Sequence, residues 1–375
     1  QVRAAARHMN PNLLEYARRH AGARWQKPSL YNRFLVWTCG CCGEPCSGWG
    51  NRMLGIVSAL MLAVLTERTF LIHWPDDACA DVAEYMGSEW IDWRMPKNFR
   101  HSVSPTDQEY LLNFQPFTGF EMSEKMRRFN PRELDSKAII WMRASHGLFI
   151  DLWRNPHLSP ELCKYGFNTV DETYSLLSRL LLSHTHNQLS HLVARSLASV
   201  AGKFMIGLQM RFIEVSRLSI FDVDRFYAAA LAIESQARIP HDDTVWFLAT
   251  DSEQIRKAVV SGPYKHKILF FEGPVRHLDF EFQGCDKNNH LKLYFDWWML
   301  QEADAMVASG DSTFGVTAHM MRYTQVHTRG CGDTAWHLRA IMNCHVLSST
   351  SQTSTLCEHC RGDVEPYHCG AEDIW

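Results

Sequence analysis

The sequence predicts an α/β protein built on parallel sheets, and three observations carry that prediction. Between residues 203 and 330, apolar runs of strand length alternate with helix-length segments. Polar or turn-forming residues bound those runs, the pattern of successive strand–helix–strand units. Earlier in the chain, an apolar helix over 51–66 runs into Thr69-Phe70-Leu71-Ile72-His73-Trp74, which has strand length and supplies half of another such unit.

Taken in order, residues 1–30 are rich in Arg and Ala, with Leu13, Leu14 and Ala17 at helical spacing, and read as a stem or outer helix. A Cys/Gly-rich loop precedes the helix over 51–66. Residues 75–135 are punctuated by Pro, Asp and Trp and resist assignment. A strand is predicted over 138–142 and two amphipathic helices over 170–200. The character then changes sharply. Strands are predicted over 203–211, 244–249, 267–271 and 305–308, and helices over 224–235, 252–260, 291–303 and 316–321.

Composition bounds the function. With 375 residues, 38 Lys+Arg and 41 Asp+Glu, the net charge is −3, which gives no support to nucleic-acid binding. The length fits two domains, or one large one with insertions. The longest apolar stretch, 53–65, is shut in by Arg52 and Glu67 and falls short of the ~20 residues that span a bilayer. A chain starting at Gln1 is expected to be a fragment whose targeting segment lies outside it. Twelve cysteines, bunched at 39–46 and 331–369 with Cys79, Cys163 and Cys285 between, read as disulfides of an oxidising compartment. Zinc is the rival, because Cys357 and Cys360 with His368 and Cys369 are ligand types. There is no Asn-x-Ser/Thr sequon.

In parallel sheets ligands bind beyond the C-terminal strand ends. That rule selects Arg211, Thr250-Asp251-Ser252 and the segment 309–315. Arg211 offers a permanently charged fork for phosphate, and the small hydroxyl residues before the last helix can present N–H groups to an anion. Together they suit a diphosphate. The plainer readings are a salt bridge for Arg211 and N-caps for Asp251 and Ser312. In the other half, Gly48-Trp49-Gly50-Asn51-Arg52 allows a tight turn, a cap from Asn51 and an anion contact from Arg52, but it is too short for a dinucleotide fingerprint. Asp222-Val223-Asp224 has the form of a metal-binding pair in sugar-nucleotide transferases, yet Asp224 reads better as a helix N-cap. His184-Thr185-His186 and His290 lack companions at metal spacing. Trp74, Trp90, Trp93 and Trp153 suit either sugar stacking or the core.

These residues resemble, in order, motifs of the plant xyloglucan-fucosyltransferase family. Cys46-Ser47-Gly48-Trp49-Gly50-Asn51-Arg52, with Ala59-Leu60 and 63–68, is similar to its Gly-Leu-Gly-Asn-Arg opening helix. Gly207-Leu208-Gln209-Met210-Arg211 resembles its Gly-Val-Gln-Ile-Arg strand, and Ser312-Thr313-Phe314-Gly315 matches its Ser-Thr-Phe-Gly motif. Asn289-His290 with Leu300 and Asp304 resembles the preceding helix, and Arg361, Glu365-Pro366 and His368-Cys369 resemble the family's ending. The likeness spans about 39–370. Departures fall at Ser145, where the family carries an Asp before Leu152-Trp153, at Asp311, where it carries Trp, and at Val316, where it carries an aromatic residue.

The resemblance implies a GT-B-type variant with two Rossmann-like domains: a stem over 1–30, an acceptor-side domain over 31–200 and a GDP-sugar-binding domain over 201–375. It implies an inverting, metal-independent fucosyltransferase with no cofactor. GDP-fucose would be the donor and a glycan with terminal galactose, joined α1,2, the acceptor. The enzyme would sit in the Golgi lumen as a type II membrane protein, with a homodimer left open. Gly50, Asn51, Arg52, Gln209, Arg211, Asp251, His290, Ser312, Thr313 and Phe314 are the candidate donor-binding residues, Arg211 holding the β-phosphate. His146 is the candidate base with Asp151 behind it, since a histidine titrates near neutrality. The alternatives are a lectin-like glycan-binding protein on the same scaffold and a transferase using another nucleotide sugar.

Overall fold

The structure is a computed structural model that describes residues 9–38, 47–74, 81–97, 99, 105–112, 119–211, 223–273, 290–309, 312–327 and 337–339. Eleven of the twelve cysteines lie outside these residues, with Asp222, Asn289, Gly310, Asp311 and the motif at 361–369. The disulfide, zinc and tail readings therefore lie outside the described residues. The chain divides between His184 and Thr185 into two compact units.

The first unit opens with helix α1 (Pro11–Ala23), whose Asn10 side chain caps the first turn by accepting from Asn12 N–H. Its inner face buries Leu13, Tyr16, Ala17 and His20. Tyr16 Oη donates to the Arg68 carbonyl at 2.9 Å, and His20 Nε2 lies 2.7 Å from the Phe70 carbonyl. The segment read as a stem is thus part of the unit's packing.

Strand β1 (Phe34–Thr38) leads through helix α2 (Trp49–Leu65) to β2 (Thr69–His73). Then come β3 (Gln108–Leu112), helix α3 (Gly119–Arg128), β4 (Ile139–Arg143), the short helix α4 (Phe149–Trp153), α5 (Ser159–Tyr165) and α6 (Val170–Leu181). The four strands form an all-parallel sheet in the order β2-β1-β4-β3, with Phe34 opposite both Thr69 and Ile139. Helix α2 starts at Trp49, so Asn51 is its third residue and Gly48 takes the cap position expected of Asn51. Trp93 and Trp153 serve the interior: their Nε1–H groups donate to the carbonyls of Leu181 and Phe167.

The second unit begins with helix α7 (Asn187–Ser199), which the sequence reading had grouped with the N-terminal domain. It continues through β5 (Phe204–Met210), α8 (Val223–Ala237), β6 (Thr244–Thr250), α9 (Glu253–Ser261), β7 (Ile268–Leu269), α10 (Leu291–Glu302), β8 (Ala305–Ala308), α11 (Thr313–His327) and β9 (His337–Arg339). These strands are also all parallel, in the order β9-β8-β5-β6-β7. The succession runs outward from β5 in one direction and then returns to its other side, the doubly wound order of a Rossmann unit. The core joins Ile206, Leu208 and Met210 of β5, Phe226 of α8, Trp246 of β6 and Val307 of β8. Two cap assignments change. Asp224 is the second residue of α8, and the cap of α9 is Ser252, whose hydroxyl accepts from Ile255 N–H, not Asp251.

At the N-terminal ends of β6 and β7, Glu234 of α8 gathers a buried polar network. Its carboxylate accepts from Thr244 Oγ1 (2.6 Å), Trp246 Nε1 (2.7 Å) and Lys267 Nζ (2.6 Å), and His241 Nδ1 lies 2.9 Å from its other oxygen. Burial pushes this carboxyl up, but the bonds from Lys267, Thr244, His241 and Trp246 outweigh it and hold it below the usual carboxylate range.

Candidate functional site

Where the winding direction of a parallel sheet reverses, a crevice opens at the C-terminal ends of the two central strands. In the second unit that point lies between β5 and β8. The chain leaves β5 at Gln209-Met210-Arg211 and leaves β8 at Ser309. The two exits are tied together: Ser309 N–H donates to the Gln209 carbonyl at 3.0 Å, and Arg211 N–H donates to Ser309 Oγ at 2.9 Å. Arg211 Nη1 pairs with Asp251 Oδ2 at 2.8 Å, so the end of β6 orients the guanidinium. Arg211 thus makes the salt bridge of the plainer reading and stands at the C-terminal end of β5.

Helix α11 begins at the same edge. Ser312 is buried just before it, and Thr313 and Phe314 form its first turn. Gly315 is needed there, because a Cβ at that position would sit 2.8 Å from Gln209 Oε1 and 3.0 Å from Ala308 Cβ. Gln209 itself is buried, and its Oε1 has no hydrogen-bond partner among the described residues. The first turn of this fifteen-residue helix, whose leading N–H groups have no intrahelical partner, and the Arg211 guanidinium at the end of β5 form a setting for an anion, while Gln209 Oε1 is an acceptor suited to a donor group. Helix α11 is seated by Trp297 Nε1–H, which donates to Thr317 Oγ1 at 3.1 Å.

His290 is buried and occupies the cap position of α10, where its carbonyl accepts from Tyr294 N–H. Sequence reasoning missed its neighbours. Lys292 Nζ donates to Asp296 Oδ2 at 2.6 Å inside α10, and Lys292 packs on Gly273, which follows β7. Burial raises the Asp296 carboxyl to about 6 against the opposing pull of Lys292, and its Oδ1 has no hydrogen-bond partner among the described residues. The (i, i+4) spacing was the available signal.

In the first unit the reversal lies between β1 and β4. The β4–α4 connection, Ala144 to Leu148, carries Ser145 and His146 at this point, and helix α2 starts on the same edge after β1. Ser47 takes a left-handed φ of 63°, and its carbonyl accepts from Arg52 Nε at 2.7 Å. The buried Arg52 guanidinium lies 5.2 Å from the Trp74 ring centroid. Gly50 and Asn51 share that first turn. Burial pushes the His146 imidazole below its ordinary value. Asp151 does not stand behind it: its buried carboxylate accepts from Arg127 Nε at 2.6 Å and from Ser123 Oγ, both on α3. Short spacing in the sequence suggested the His146–Asp151 pair, but α4 turns Asp151 toward α3 instead.

Residues 19–109 match the family model described as Xyloglucan fucosyltransferase. Among curated proteins, the chain is 22% identical over 330 residues to "Probable fucosyltransferase 7" of Arabidopsis thaliana, covering 76% of this chain and 61% of the relative. It thus spans under two thirds of that relative's length. Among solved structures, it is similar to an Arabidopsis thaliana FUT1 variant in complex with GDP, with a TM-score of 0.58, 16% identity, and 88% of this chain and 76% of that one covered. The fucosyltransferase NodZ from Bradyrhizobium gives a TM-score of 0.51 at 15% identity, covering 76% and 91%. At these identities the likeness shows the fold alone, the α/β class of GT-B-type fucosyltransferases.

Proposed function

We propose that this protein is a glycosyltransferase of the xyloglucan-fucosyltransferase kind that moves fucose from GDP-fucose to a sugar hydroxyl of a glycan, with inversion. The observation that carries the reading is the second unit's switch point, where Arg211, Ser309, Gln209 and the first turn of α11 converge on one strand edge. The match of residues 19–109 to the xyloglucan-fucosyltransferase model and the GDP bound in the FUT1 complex support the choice of nucleotide.

In the proposed reaction the acceptor oxygen bonds to the anomeric carbon of fucose as the bond from that carbon to the diphosphate oxygen breaks. Negative charge then grows on the departing GDP, where Arg211 and the N–H groups of α11 stabilise it without having to reorganise. His146 takes the acceptor's proton. Its lowered pKa keeps the imidazole neutral at physiological pH, the form a base requires. Asp151 is assigned to holding α4 against α3, with no proton role. Gly50, Asn51 and Arg52 are assigned to the first unit's edge. The acceptor is proposed to end in galactose, joined α1,2. The cysteine content supports a Golgi-lumenal setting.

Incubation with GDP-fucose and galactose-ended oligosaccharides, read by GDP release and by NMR of the product linkage, tests this. The expected result is acceptor-dependent GDP release with an α1,2-fucosylated product. Binding of GDP-fucose and glycan without any product would favour the lectin-like alternative, and turnover of another nucleotide sugar alone would replace the donor.

A further inference from the structure

Helix α2 is apolar along its length, and Ser58 is a fully buried hydroxyl in its middle. A helical serine ordinarily bonds back to its own helix, and Ser58 Oγ does reach the Leu54 carbonyl at 2.7 Å. It does more. Ser58 Oγ accepts from the N–H of Phe149, the first residue of α4, at 2.9 Å, and the His146 carbonyl lies 3.3 Å away as the weaker second acceptor of the one hydroxyl proton that the Leu54 carbonyl takes. One turn earlier, on the same face, a Cβ on Gly55 would fall 1.7 Å from the Ala144 carbonyl oxygen, so only glycine admits that strand end. The Ala144 carbonyl also accepts from Trp37 Nε1 at 3.0 Å. The His146 carbonyl takes a second donor, Leu148 N–H, at 2.9 Å. These bonds hold the turn around His146 to β1, to α2 and to itself.

We infer that Ser58 is a positioning residue for His146: by accepting from Phe149 N–H, with the His146 carbonyl close by, its hydroxyl ties the 146–149 turn to α2, the helix whose first turn carries Asn51 and Arg52. This rests on the proposal that His146 is the base. Three features separate it from core filling. A packing role would need no hydroxyl in an apolar helix. The acceptor it provides for Phe149 N–H is the one that the start of α4 uses. Its partners lie 88 and 91 residues away in sequence, both on the turn that holds His146.

Steady-state kinetics and hydrogen exchange on Ser58→Ala test the inference, with Ser58→Cys as a near-isosteric second variant that keeps a weak acceptor should the alanine variant fold poorly. The expected result for Ser58→Ala is faster exchange of the Phe149 amide and a fall in kcat of up to about 100-fold, the scale on which small misplacements act. KM for GDP-fucose and the affinity for GDP should stay within about twofold, since equal losses in kcat and kcat/KM mark an interaction used in the transition state. Ser58→Cys should fall between the two. If both variants kept the wild-type kcat while His146→Ala lost activity, Ser58 would be core filling and the inference would be wrong. If His146→Ala itself kept the wild-type rate, the base assignment would fail and take this inference with it.

Discussion

The second unit carries two polar clusters at opposite ends of the same sheet, and they are finished differently. At the N-terminal end, the Glu234 carboxylate is surrounded by Thr244, Trp246, Lys267 and His241, so its acceptor capacity is used up inside the protein. At the C-terminal end, Arg211 pairs with Asp251, Gln209 Oε1 is buried with no hydrogen-bond partner among the described residues, and the first turn of α11 lies against that amide. Burying a polar group is costly unless it is bonded. A closed cluster therefore serves stability, and an open one at a switch point is arranged for something that arrives later.

The largest effect should come from breaking the closed cluster. Removing one partner of a buried ion pair typically costs about 3–5 kcal/mol, so Lys267→Ala should lower unfolding stability on that scale in denaturant titration. Its GDP affinity should stay within about twofold of wild type. A matching loss of affinity in a folded Lys267→Ala protein would mean that the two ends do not divide stability from binding.

Next in size is a change at the open cluster. Gly315→Ala places a methyl against the Gln209 amide, where a misfit costs about 1–3 kcal/mol. GDP affinity should fall about tenfold, which corresponds to about 1.4 kcal/mol, alongside a loss of unfolding stability on the scale of the misfit. Equal affinity would remove Gln209 and the first turn of α11 from the donor site.

A smaller effect is expected from acid. The Glu234 carboxyl is held below its usual range, so its contribution to stability is complete above that range and is lost as pH falls through the lowered folded value. Stability against pH should show this acid limb, and Glu234→Gln should flatten it. A limb unchanged in the variant would mean that other carboxylates produce it. The smallest test concerns the first unit. Because burial lowers the His146 pKa, kcat/KM should hold through neutral pH and decline only below the ordinary histidine range. That decline should vanish in the residual rate of His146→Ala.

The same contrast explains how much was legible in the sequence. The alternation from 203 to 308 could be read because each strand is a run bounded by turn residues, and the strand-end rule then reached Arg211, Asp251 and Ser312 without any knowledge of contacts. Strand β1 escaped because five residues buried on both faces show no period, and a Cys/Gly-rich segment follows them directly. Helix α11 starts at Thr313, earlier than predicted, because Ser312-Thr313-Phe314-Gly315 has the composition of a loop while its backbone is already helical. Ser58 was invisible, since what makes it matter are partners 88 and 91 residues away, and Ser309 could be placed at the strand end but not its bond to Arg211, 98 residues away. Asp151 misled because nearness in sequence to His146 said nothing about the direction in which α4 turns it.

The central claim is that the open cluster at the β5–β8 switch point holds a guanosine diphosphate. Calorimetric titration of the chain with GDP in EDTA, beside the Arg211→Ala variant, tests it most directly. The account predicts micromolar binding to the wild type and a loss of about 100-fold or more in the variant, since truncating one desolvated charge partner costs about 2–5 kcal/mol. Equal binding by both folded proteins, or none by either, would contradict it.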